Sequence, residues 1–186
     1  MPSRSKWYEY DMIKEIRDGL TEDRATRFLE HSVFEFEVCS RRAIESVLST
    51  PTLNAGSFGL SRNFSGQFST ACHIQAGNSE YLVTVVFGVE TKDLASLVPG
   101  YSEMEMQLDA VSEVTNVLSG SFVTHHRFAE QFGVIPPSLP FFVPIGHIMR
   151  DSWCIQGLLR VNSVKVFLGV AVNRAEGEGR FPCKDP

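Results

Sequence analysis

Apolar positions recur at helical spacing along the first fifty residues. Tyr8, Met12, Ile13, Ile16 and Leu20 fall on one side of a charge-rich segment, which predicts a short amphipathic helix within an N-terminal extension, residues 1–30. Phe36, Cys39, Ala43 and Val47 predict a second helix over residues 33–50, ended by Pro51. The period then changes to two. Phe64, Gly66, Phe68, Thr70, Cys72 and Ile74 alternate as in a half-buried strand, the turn residues Ala76 to Ser79 follow, and "YLVTVVFGV" reads as a second strand of one hairpin. "TKDLASLVPG" predicts a short helix with Thr91 as N-cap. A long helix is expected from about Glu103 to Phe132, continuous over residues 105–132, with Gly133 and Pro136-Pro137 as its stop. "LPFFVPIGH" is extended by virtue of its prolines and suits a sheet edge. "WCIQGLLRV" and "VKVFLGVAVN" form a last hairpin about Asn162-Ser163.

This order, with runs of strands separated by helices, predicts an α+β fold with a largely antiparallel sheet. Residues 31–175 form the domain, and residues 176–186 a mobile tail. "AIESVLS" in the first domain helix is echoed by "AVSEVTNVLS" in the long one, a hint of duplication.

Composition narrows the classes. The chain has 186 residues, enough for one domain with its own core, and a net charge of −5, which disfavours general nucleic-acid binding. No apolar run approaches the ~20 residues of a membrane span, and the N-terminus lacks the apolar core of a signal peptide. The four cysteines are scattered and form no C-x-x-C pair, as expected of free thiols in a reducing cytoplasm.

On the long helix, Leu108, Val111, Val114, Thr115, Leu118 and Phe122 share one face. Asp109, Glu113, Asn116 and Gly120 line the opposite face, where solvent or a partner must meet them. Polar residues are ordinary there, and the four alone do not define a function. Gly120 costs ~1 kcal/mol relative to alanine inside a helix, which close approach by another surface would offset. Other chemistry is poorly supported. His125-His126 point about 100° apart on a helix and cannot share one ion well, and no H-E-x-x-H occurs. His31, His73 and His147 lack partners at ligand spacing. "LSGSF", with Ser119 and Ser121, is not a nucleophile elbow, and no phosphate loop occurs.

"DAVSEVTNVLSG", residues 109–120, resembles the D-x-x-x-E-x-x-N signature of the CheX/CheC/FliY-type chemotaxis phosphatases, in which that motif lies on a surface helix. The hairpin "FSGQFSTACHIQAGNSEYLVTVVFG", the helix "TKDLASLVPGYS" and "GVIPPSLPFFVPIG" resemble successive parts of the CheX branch, in order, so the resemblance covers about residues 33–173. It implies a CheC-like fold and hydrolysis of the aspartyl phosphate of a CheY-like receiver domain. Asn116 would hold the attacking water and Glu113 would pair with the receiver's lysine. Asp109 and Gly120 would lie against the partner. No cofactor of the protein's own is implied, because Mg²⁺ comes with the receiver, and the branch forms homodimers through sheet edges. CheC-type members carry the Glu-x-x-Asn pair on two helices. Here the first reads "RRAIESVLS", with Arg42 and Ser46 near the expected positions, so one active helix is expected. The alternative is a non-catalytic module of the same fold that binds a signalling or flagellar-motor protein.

Overall fold

The computed structural model describes residues 4–65, 68–133, 137–143 and 152–175, with side chains from residue 24 onward. Its elements are α1 (Arg4–Leu48), β1 (Thr52–Asn54), β2 (Gly59–Arg62), β3 (Thr70–Gly77), β4 (Tyr81–Val89), a 3-10 turn (Thr91–Asp93), α2 (Leu94–Leu97), α3 (Met104–Val123), α4 (His126–Phe132), β5 (Phe141–Phe142), β6 (Trp153–Val161) and β7 (Val164–Arg174).

Among the described residues, seven strands make one sheet in the order β1-β6-β7-β4-β3-β5, with β2 also on β6, and every pairing is antiparallel. This is the expected α+β class. Local chemistry explains both hairpins. Asn78 Oδ1 accepts from the backbone N–H groups of Glu80 and Tyr81 at 2.8 and 2.9 Å, which folds the chain back between β3 and β4. Asn162 takes the left-handed φ of 55° needed by the two-residue turn between β6 and β7. The segment containing Phe141 and Phe142 forms an edge strand, as its prolines led one to expect.

α1 and α3 pack on one face of the sheet, and their buried side chains join those of β4, β6 and β7 in the main core. Phe28, Phe36, Phe122, Phe128 and Phe132 meet largely edge to face at its centre, with centroids 4.9–6.2 Å apart. The other face carries a smaller cluster of Ala71, Val86 and Phe167, covered by Phe64, Phe68 and Leu158. The strand predicted from Phe64 begins only at Thr70. Phe64 and Phe68 instead lie across the sheet, and β3 is buried on both faces rather than one. Gly169 leaves the space that the Phe64 ring occupies, and Gly157 does the same for Phe58.

Four other expectations are corrected. The two N-terminal helices are one, because the segment at residues 30–33 contains no breaker, and Ala25, Phe28 and Leu29 already belong to the core. α1 ends where Ser49 turns to a left-handed φ of 52°, two residues before Pro51. Thr91 is not a helix cap: it opens the 3-10 turn, and its hydroxyl lies 2.8 Å from that of Thr70 and 3.0 Å from that of Ser69. The helix expected over 105–132 is broken into α3 and α4. β1 and β2 are additional strands, too short to show a period. Residues 176–186 lie outside the described residues.

Candidate functional site

α3 begins at Met104, and the side chain of buried Gln107 reaches back to donate to the Tyr101 carbonyl at 2.8 Å. This ties the first turn to the loop before it. Val111, Val114, Thr115, Leu118, Ser119 and Phe122 face the sheet, and the buried Thr115 hydroxyl is satisfied by the Val111 carbonyl at 2.8 Å. The opposite face carries Asp109, Glu113 and Asn116, all exposed, and half-buried Gly120. Glu113 and Asn116 are three residues apart, which brings side chains on a helix surface to ~5–6 Å between Cβ atoms. Asp109, Glu113 and Asn116 make no side-chain hydrogen bond or ion pair among the described residues. A Cβ at Gly120 would meet nothing within 4 Å. The packing of the chain on itself therefore does not require glycine there.

The helix stops three residues after Gly120. The Gly120 carbonyl accepts from both the amide and the hydroxyl of Thr124, at 3.1 and 2.6 Å, and His125 then turns to an extended ψ of 134°. The break redirects α4 so that Phe128 and Phe132 enter the aromatic core. It is anchored from α1 by Glu35, which lies 3.1 Å from Arg127 Nη1 and 3.7 Å from His125 Nδ1. His125 and His126 are adjacent rings, 4.6 Å between centroids. No group of three or more His, Cys, Asp or Glu among the described residues could hold a metal ion.

The remaining tempting residues are structural. His73 is fully buried on β3, where Nε2–H donates to the Val143 carbonyl at 2.9 Å and the ring stacks on Phe141. Burial holds its pKa below the usual 6.5. Burial likewise pushes the Cys39, Cys72 and Cys154 thiols up, so none is an activated nucleophile. Ser119 is buried and Ser121 exposed, with no base beside either in the hydrogen-bond network.

One feature escaped the periodicity. An open groove of about 620 Å³ lies between the end of α1 and the start of α3, and Asp109 and Glu113 form part of its wall. The rest of the wall comes from residues 97–101, Met106 and Ala110, near in sequence, and from Val47, Leu48 and Thr50 at the end of α1, which only the fold brings there.

The fold is similar to that of solved CheX and CheC-like proteins. CheX from Desulfovibrio desulfuricans superposes with a TM-score of 0.59 at 13% identity, covering 74% of this chain and 96% of its own. A CheC-like superfamily protein from Shewanella sp. PV-4 gives 0.59 at 14%, covering 74% and 94%. CheX in the CheX–CheY–BeF₃–Mg²⁺ complex from Borrelia burgdorferi gives 0.57 at 17%, covering 76% and 97%. No protein-family model and no curated protein sequence matches the chain. At these identities the likeness is one of fold. No helix among the described residues is long and apolar enough to cross a membrane.

Proposed function

We propose that the protein hydrolyses the aspartyl phosphate of a CheY-like response-regulator receiver domain in the cytoplasm, in chemotaxis or another two-component circuit. The observation that carries this reading is the unpartnered Glu113–Asn116 pair on the exposed face of α3, within a CheX-like fold. A CheX of that fold is seen with CheY, Mg²⁺ and BeF₃, a phosphoryl analogue.

The chemistry suits the pair. Phosphoryl transfer leaves a protein mainly positioning and charge stabilisation to supply. The receiver brings the phosphorylated Asp, the Mg²⁺ and a lysine. The Asn116 amide, both donor and acceptor and without titration near neutrality, orients one water in line with the acyl-phosphate bond. The water oxygen forms the new P–O bond, the bond to the Asp oxygen breaks, the carboxylate leaves with its electron pair, and the water's two protons end on the released phosphate. Glu113 pairs with the lysine and fixes register, an interaction that strengthens as the interface dries. The rigid helix preorganises both groups. Open space over Gly120 lets the receiver approach, and Asp109 extends the contact. A homodimer would pair the exposed sheet edge at β5.

The test is phosphate release from receivers phosphorylated with acetyl phosphate. Wild type should release phosphate faster than receiver autohydrolysis, and Asn116→Ala should lower that turnover by about a hundredfold or more while binding changes little. Wild-type turnover in Asn116→Ala would sink the enzyme reading. Tight receiver binding without any release would leave the non-catalytic module.

A further inference from the structure

The groove beside Glu113 lies among exposed apolar side chains. Of the exposed large apolar side chains among the described residues, Tyr101, Met104 and Met106 lie within six positions of one another, 42%, 51% and 44% exposed. Tyr101 and Met106 line the groove, with Leu48 from the end of α1 and Val98 after α2. Its charged lining residues, Asp109 and Glu113, are both acidic. Glu103 and Glu105, exposed at the start of α3, continue that sign. An apolar cleft with a one-sign acidic wall fits an apolar side chain flanked by a cation. Glu113 forms part of the groove's wall, so a partner docked on Glu113 sits at the groove's edge.

We propose that the groove is the second half of the receiver's docking surface. It takes an apolar side chain from the receiver, with a Lys or Arg next to it facing Asp109, and so decides which receiver is accepted. This rests on the phosphatase reading, since the occupant is the same molecule that presents its phosphate to Asn116. The division of labour is spatial. Asn116 does not line the groove, so the groove contributes binding made before the chemistry, and binding of that kind moves half-saturation rather than the rate of the bound complex.

The experiment is single-turnover dephosphorylation of a panel of ³²P-labelled receivers from the same organism, with the full-length protein in increasing excess. Wild type, Tyr101→Ala, Met106→Ala and Asn116→Ala are compared. Truncating a well-packed interface anchor typically weakens binding about tenfold. Tyr101→Ala and Met106→Ala should each raise the half-saturating concentration by about that factor, with saturating rates within about twofold of wild type. Both side chains are about half exposed, so thermal melts should match and exclude unfolding as the cause. Half-saturation unchanged in both variants overturns the inference and leaves the phosphatase reading standing, provided wild type turns over and Asn116→Ala does not. A fall in saturating rate at unchanged half-saturation also overturns it, because the groove would then act on the chemistry. So does a shift from dimer to monomer in sedimentation with unchanged half-saturation, which would give the groove to a second copy. No release by wild type from any receiver removes the phosphatase reading and this inference with it.

Discussion

α1 and α3 lie side by side on the same face of the sheet and run antiparallel. Phe36 meets Phe122 at one end, and Leu48 shares a groove with Met106 at the other. Their patterns of burial match closely. Ser40, Ala43 and Ile44 are buried on α1 as Val111, Val114 and Thr115 are on α3, and this register sets exposed Arg42 against Glu113 and exposed Glu45 against Asn116. The likeness in letters between "AIESVLS" and "AVSEVTNVLS" does not follow this register, which pairs residues 43–49 with 114–120 without an identity and puts Glu45 rather than Ser46 at the second position. The outward chemistry has diverged. On α1 it secures the fold: Glu45 Oε1 accepts from the amide and hydroxyl of Thr52 at 3.2 and 2.9 Å, and Arg41 bridges Glu37, Thr52 and Asn54. On α3, Asp109, Glu113 and Asn116 have no hydrogen-bond or ion-pair partner among the described residues. Two helices can share one packing solution while one holds a neighbouring strand and the other stays open to a second molecule.

The largest effect should come from the joint the helices share. Phe122 is 2% exposed and touches Phe28, Phe36 and Phe128. Phe122→Ala should cost about 3–5 kcal/mol in urea unfolding, from lost burial plus a cavity. Where that abolishes folding, Phe122→Leu should show a smaller loss without changing the m-value. A loss under about 1 kcal/mol for Phe122→Ala would mean that the paired register is not what holds α1 to α3.

How far the comparison was legible in the sequence differs between its halves. The outward face of α3 could be read because one long amphipathic run fixes which residues point away from the sheet. The end of that run could not. No Gly or Pro stands between Phe122 and Phe128, and the break comes from Thr124 bonding back to Gly120 and from the pull of Phe128 and Phe132 into the core. The unbroken α1 was hidden for the opposite reason, since its polar residues around position 30 resemble a linker while Phe28 and Leu29 carry the contacts. β1 and β2, three and four residues long, are too short to carry a period. The groove needs α1, α2 and α3 together, and only the folded chain brings them into one place.

A middle-sized effect tests whether the exposed positions of the two helices are functionally unequal. Glu113→Ala should weaken binding of a phosphorylated receiver about tenfold at low salt, with a shallower salt dependence than wild type. Arg42→Ala, at the matching position of α1, should leave both affinity and salt slope unchanged. Equal losses in the two variants would mean that the receiver lies across both helices, and the division between a structural and a functional surface would fall.

The smallest effect reads the structural surface alone. Glu45→Ala removes an acceptor shared by two Thr52 donors, on a side chain that is itself exposed. Water can replace part of what is lost, so the expected cost is about 1 kcal/mol. It should appear as earlier urea unfolding and as faster amide exchange in β1, which is three residues long and, among the described residues, pairs with β6 alone. Neither half-saturation nor turnover should move, because Glu45 sits at the position matching Asn116 and yet faces Thr52 of its own chain. Glu45→Gln separates charge from hydrogen bonding. The amide oxygen still accepts from Thr52, so most of the stability should return. If Glu45→Ala slows dephosphorylation while stability and β1 exchange are unchanged, α1 contributes to the reaction surface, and the two helices have kept a common role that their side chains conceal.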